Sequence, residues 1–281
     1  MILNKRQRFW TKIVTYAVLL FFAVYCLFPF IWMTVTALKP IDEIRSSKPS
    51  FLIDSPTLEN FKNVLFNTGF LTFFKNSLIV SVAATIITLL ISIFAGYALS
   101  RFMRFKGIKA TGGAMSLSQM VPPVLLLIPL YVLMQQYNLL NTHYSLILAY
   151  TTFMVPLCTF MLKGFFDSVP YEMEEAAEID GCSRVRIIFQ IVLPISIPSL
   201  LATSLFAFVN SWNEYMFGFV FINDEAQRTL TPGITLFKGL YTTDWGSIMS
   251  ASVLAVIPIA VIFMYLQKYL IEGMAAGSVK G

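Results

Sequence analysis

Glu175–Pro194 reads EAAEIDGCSRVRIIFQIVLP. It opens acidic, turns basic at Arg184 and Arg186, and closes on Ile191, Leu193 and Pro194. Strongly apolar segments flank it on both sides. A polar stretch in that setting is a loop held outside the lipid, open to the grip of another surface. It carries its own helix signals. Pro170 suits a first helical position, and Glu172, Glu174 and Glu175 put negative charge at the positive end of the helix dipole. Gly181 suits a left-handed C-terminal cap, and Ser183 caps a second short helix containing Arg184 and Arg186. Ala176 and Ala177 leave a smooth patch that another surface can approach closely. The pattern predicts a helix–turn–helix over 167–195, lying across one face of a membrane protein.

Composition agrees with that setting. The 281 residues are 57% apolar and 12% charged, with a mean hydropathy of +0.73. Soluble domains carry about 25% charge, so the chain is polytopic. Apolar runs fall at about 13–37, 71–100, 110–134, 145–166, 196–222 and 248–270. They are too long and continuous for barrel strands, so each is read as a helix that satisfies its own backbone in lipid. The expected fold is all-α, with six transmembrane helices in one domain over 1–281. The basic start followed by a run from Ile13 to Ala37 reads as a retained first span, because a cleaved leader has a shorter apolar core.

Charge orients the spans. With the N-terminus inside, 13 of the 20 Lys and Arg residues fall on the cytoplasmic side, four of them in RFMRFKGIK at 101–109. The positive-inside rule then places both termini and the 167–195 loop in the cytoplasm. The pI near 9.0 has this origin and implies no nucleic-acid partner. Cys26, Cys158 and Cys182 offer no disulfide framework, and the single His143 supports no metal site. His143 is expected at a surface or interface, and Trp10, Trp32, Trp212 and Trp245 in interfacial belts.

The spacing E-A-A, three residues, Gly, nine residues, I-x-L-P resembles the EAA loop of ABC importer permeases. The likeness extends to NSLIVSVAATIITLLISIFAGYALSRF at 76–102, SWNEYMFGFVFI at 211–222 and TDWGSIMSASVLAVIPIAVIFMYLQKYLIEGMAAGSVKG at 243–281. These look like the MalG-type permeases of binding-protein-dependent sugar importers, the first class of carbohydrate uptake transporters. The resemblance implies the type I importer fold in a multi-pass inner-membrane protein. It also implies a second related permease, an ATPase dimer that docks on the loop, an extracytoplasmic solute-binding protein and a sugar substrate. Glu175, Ala176, Ala177 and Gly181 would carry the docking, supported by Glu174 and Asp180. The cargo is a sugar or oligosaccharide, or alternatively a polyol phosphate, uronate oligomer or other polar solute; a non-transporting scaffold for an ATPase is the reading from another class. No G-x-x-x-x-G-K-[ST] occurs, so ATP and Mg belong to the partner and no cofactor is expected on this chain. No H-E-x-x-H or G-x-S-x-G occurs either, and no catalytic residue is assigned.

Polar residues inside spans mark a second region. Asn210, Asn213 and Glu214 stand at i, i+3 and i+4, one face of a helix, which Thr203, Ala207 and Gly218 extend. Two readings stand: a wall of the translocation path, or a hydrogen-bonded cluster tying span five to a neighbour. Ser116, Ser118 and Gln119 precede Pro122–Pro123, a pair that bends a helix, either to line the path or to shape the bundle. The segment 272–281 is rich in small residues, with Gly273, Gly277 and Gly281, and holds too few large apolar side chains to fold alone. It is expected to lie along the ATPase as a second contact.

Overall fold

The computed structural model describes residues 5–278 except 47, 49, 240 and 241; of residues 5–7 and 270–278 it describes the backbone only. Fourteen α-helices follow one another among the described residues: α1 Lys5–Ala37, α2 Ile41–Ile44, α3 Glu59–Phe66, α4 Phe70–Arg101, α5 Lys106–Ser118, α6 Leu127–Gln136, α7 His143–Phe166, α8 Tyr171–Ile179, α9 Arg184–Ile187, α10 Leu193–Ile195, α11 Ile197–Asn213, α12 Met216–Phe221, α13 Leu230–Ile234 and α14 Trp245–Ser278. Four of them (α1, α4, α7 and α14) are long and apolar enough to cross a membrane. Two bent pairs bring the number to six if each is one span.

The bend expected at Pro122–Pro123 is present, and a second one precedes α11. In 110–134 the chain turns by 98° between α5 and α6. Pro122 and Pro123 donate no backbone N–H, and Pro122 is extended at ψ 130°, as a residue before proline prefers. The pair breaks the helix outright. The second pair bends by 87° between the helical run 184–195 and α11. Ser196 sits at the corner, with Pro198 in the first turn of α11. That span also ends early: Glu214 leaves the helix at ψ 131°, and Met216–Phe221 is a separate turn of helix. The face proposed for 210–218 is therefore not continuous. At the other end α14 outruns its expected 248–270 and stays helical through Ser278. Extending a formed helix needs no new nucleus, and Ala275 and Ala276 favour it. The expectation that 272–278 is a non-folding tail is corrected there; 279–281 lie outside the described residues.

The chain forms two compact units, 1–70 with 234–256 and 71–233 with 257–281. In the first, α3 ties the end of α1 to the start of α14 through asparagines. Asn60 Nδ2 donates to the carbonyls of Ala37 at 2.9 Å and Lys39 at 2.8 Å, and Asn63 Nδ2 donates to Ser247 Oγ at 3.1 Å. Gly246 lets α14 start here, because a Cβ would stand 2.5 Å from Asn60 Oδ1.

The second unit holds two apolar clusters. One joins Val80 and Ala84 of α4, Leu146, Tyr150 and Met154 of α7, Ala207 of α11 and Phe221 of α12. The other joins Ile93 and Tyr97 of α4 and Leu162 and Phe166 of α7 to Ala177, Ile187, Ile188 and Val192 of the polar loop. The helix–turn–helix is thus part of a core. Gly96 permits the close approach of α4 to α7, since a Cβ would meet the Thr159 carbonyl at 3.1 Å. Trp212 departs from the interfacial role: at 2% exposure it is packed inside, with Phe208 stacked 5.7 Å away and Phe74 edge-on at 5.3 Å. His143 is half-buried, and its Nε2 donates to the Gln227 carbonyl at 3.2 Å.

Candidate functional site

Two sites emerge in the second unit. The first is the helix–turn–helix. α8 closes on a Schellman motif: Cys182 N–H reaches the Ala177 carbonyl at 2.9 Å and Gly181 N–H the Glu178 carbonyl at 3.0 Å. Gly181 has φ +80° and open space around its missing Cβ, so conformation alone calls for glycine. Ser183 Oγ accepts from Arg186 N–H at 3.4 Å, and Arg184 bridges back to Glu178 at 2.6 Å.

The residues of the loop divide by face. Glu175, Ala176, Asp180 and Gly181 are exposed, while Ala177 is buried in the core. Glu174 lies wholly inside, at 0% exposure. Its Oε1 receives Arg101 Nη2 at 2.6 Å and Nε at 2.7 Å, and its Oε2 receives Tyr97 Oη at 2.6 Å. Arg101, 8% exposed, also donates to the Val169 carbonyl at 3.0 Å. The α4 terminus thus grips both the start of α8 and the strap before it. Beside this clamp Asp167 accepts from Lys163 Nζ and Ser100 Oγ, each at 2.6 Å. Burial pushes the Asp167 carboxyl up, but these two hydrogen bonds and the charges of Lys163 and Arg101 outweigh it and hold the group below its ordinary range.

Sequence reasoning left out Tyr97, Arg101 and Ile179. No spacing rule links 97 or 101 to 174. Ile179 left a signal, an isoleucine in an acidic loop, and it stands 86% exposed at the end of α8. Tyr171, Met173 and Val185 are exposed with it.

The second site is a cleft of about 350 Å3 lined by Gln119, Tyr150, Phe153, Phe206, Asn210, Glu214 and Phe217, among others. Of the polar residues singled out in the spans it brings together Gln119, Asn210 and Glu214, without Ser116 or Ser118. Asn213 does not line it and points to the exposed surface. Glu214 accepts from Tyr150 Oη at 2.8 Å and from the backbone N–H groups of Phe217 at 2.9 Å and Gly218 at 3.1 Å. The carboxylate thereby caps α12, which explains why the chain leaves α11 there. Asn210 Nδ2 donates to the Phe206 carbonyl at 2.8 Å, leaving its amide oxygen to the cleft. Phe153 stacks on Phe217 at 5.2 Å. Thr203, Ala207 and Gly218 are packing residues: all three are buried, and Gly218 lies against Thr229 and Pro232.

Comparison with known proteins agrees with this picture. Residues 88–275 match the family described as binding-protein-dependent transport system inner membrane component. The diacetylchitobiose uptake system permease protein DasC of Streptomyces coelicolor is 38% identical over 275 residues, 98% of each chain. The trehalose/maltose transport system permease protein MalG of Thermococcus litoralis is 37% identical over 268 residues, 92% of this chain and 93% of its own. Among solved structures, a bacterial ABC transporter involved in the import of the acidic polysaccharide alginate superposes with a TM-score of 0.81. It covers 96% of this chain and 99% of its own at 20% identity, a likeness of fold. The chain belongs to the family of inner membrane components of binding-protein-dependent transport systems. It is a membrane-spanning permease of the ABC importer class and not an enzyme.

Proposed function

We propose that this permease carries a sugar or oligosaccharide, driven by ATP hydrolysed with Mg on a partner ATPase dimer that docks on α8. The observation that carries the docking is the division of α8 into two faces. One is fastened to α4 through Glu174, Arg101 and Tyr97. The other presents Glu175, Ala176 and the exposed Ile179, an apolar tip fitted to a pocket on another protein. Closure of the ATPase dimer pulls α8, and the buried ion pair passes that displacement to α4. A second, related permease and an extracytoplasmic binding protein complete the assembly.

The cargo reading rests on the cleft and on the relatives. Gln119, Asn210 and Glu214 offer donors and acceptors between aromatic walls, the pairing that hydroxylated rings need. The similar chains named above serve diacetylchitobiose and trehalose/maltose uptake. The test is to purify the complex with its binding protein and screen ligands for stimulation of ATP hydrolysis. Stimulation by neutral saccharides is expected; stimulation by polyol phosphates alone would reject the cargo, and none by any solute would favour a scaffold.

The cytoplasmic placement of both termini and of 167–195 is tested with an impermeant thiol reagent on intact cells. Cys182 should stay unlabelled and a cysteine replacing Asp224 should react. Removal of 273–281 tests the second contact of the C-terminal segment with the ATPase: uptake per ATP hydrolysed should fall.

A further inference from the structure

We propose that the first unit carries a separate saccharide site, which takes one neutral pyranose ring at the end of α1. A cavity of about 350 Å3, in the size range of small-ligand pockets, is lined there by Trp32, Thr36, Lys39, Glu43 and Trp245, among others. The inference rests on the saccharide reading above. On the proposed topology the cavity faces outside.

Lys39 is the central observation. It is a lysine at only 6% exposure. Its Nζ donates to the Ser50 carbonyl at 2.5 Å, and no ion pair joins it to a carboxylate among the described residues. An ammonium has three donors, so one neutral acceptor leaves two. A buried charge served so sparingly is costly unless further acceptors reach it. Its backbone is not free to carry it away. Asn60 holds the carbonyls on either side of Leu38, and Thr57 N–H donates to Leu38 itself at 2.8 Å.

The remaining walls define what those acceptors belong to. Glu43 is fixed by the backbone N–H groups of Ser55 at 3.0 Å and Asp54 at 3.4 Å. A carboxylate has about four acceptor positions, so it can still receive ligand hydroxyls. Its charge disfavours an anion. Trp32 is braced edge-on by Phe51 at 4.7 Å, and Trp245 stays 51% exposed. Indole faces take the C–H side of a ring, while its hydroxyls accept from Lys39 and donate to Glu43. A molecule that is donor, acceptor and apolar-faced at once is a neutral sugar. A phosphate or uronate satisfies Lys39 but meets Glu43.

The test uses the assembled transporter in lipid nanodiscs without its binding protein. Radiolabelled maltose and diacetylchitobiose are the probes, with glucuronate and inorganic phosphate as competitors. At least one disaccharide should bind saturably. Lys39→Met should weaken that binding about tenfold, the loss expected for a hydrogen bond to a charged group, and Trp245→Ala should weaken it about tenfold through the lost aromatic face. Uptake by the same variants should show a raised KM at unchanged maximal rate. Trp245 is half-exposed, so its variant assembles even if Lys39→Met does not. Binding that survives Trp245→Ala, that either anion displaces, or that is absent while wild-type uptake proceeds overturns the site and leaves the cargo reading standing. Absence of both binding and uptake for either disaccharide overturns the cargo reading as well.

Discussion

Two glutamates in the second unit are held in opposite ways. Glu174 is sealed inside and meets a guanidinium through two contacts and a tyrosine hydroxyl. Glu214 is half-buried at the wall of a cleft and, among the described residues, meets neutral donors: one tyrosine hydroxyl and two backbone N–H groups. A carboxylate matched to a cation is a fastener: its charge is spent, and its geometry is what counts. One held by neutral donors is positioned yet leaves its electrostatic field to whatever enters the cleft. The first suits transmission of force, the second contact with solute.

The largest effect is expected where the fastener is cut. Glu174→Ala leaves Arg101 buried without its partner, a loss of about 3–5 kcal/mol. Thermal unfolding of the purified protein should shift sharply down, and ATPase co-purification should fail with it. Replacing both Glu174 and Arg101 by methionine should recover most of the stability but not the coupling of hydrolysis to uptake. Recovery of both would make the pair mere packing and dissolve the contrast with Glu214.

At Glu214 the opposite split is expected. Glu214→Gln keeps an acceptor for Tyr150 and the α12 cap, so assembly should persist while uptake per assembled complex changes. Glu214→Ala removes the cap as well, at about 1 kcal/mol, and should lower yield. Unaltered uptake per complex in both variants would reduce Glu214 to a structural cap.

A loss of similar size, confined to the turn, is expected at Gly181. Valine at φ +80° costs about 1–2 kcal/mol locally, with nothing to clash against. Membrane insertion should persist while ATPase association falls; wild-type association would remove the Schellman turn from the docking surface.

The smallest effect concerns Asp167. Its carboxyl is held below the ordinary range in the folded protein, so its contribution is complete above the unfolded value near 3.9. That contribution disappears as pH falls through the lowered folded value. Wild type should exceed Asp167→Asn in melting temperature at neutral pH by a small margin, given its partial exposure, and the difference should close under acid. A constant difference at all pH values would show that Asp167 acts by shape.

The two regions were not equally legible. The loop could be read from sequence because its determinants are local: a turn that needs φ above zero, a cap one residue before a helix, an acidic first turn. Such features depend on neighbours along the chain, and Gly181 and Ser183 stand where that logic puts them. The cleft was half-legible. Gln119, Asn210 and Glu214 stood out as polar groups in apolar runs, but Asn213, on the same helix as Asn210, lies outside the cleft.

By itself the sequence determined the all-helical membrane class, the approximate spans and the helix–turn–helix, because hydropathy and backbone chemistry are written residue by residue. Only the tertiary structure decided that Arg101 and Tyr97 lock Glu174 away from the surface. It likewise decided that Trp212 packs inside. Each of these depends on partners brought from far along the chain. A carboxylate or an indole looks the same in the sequence whether its fate is solvent, a guanidinium or another ring.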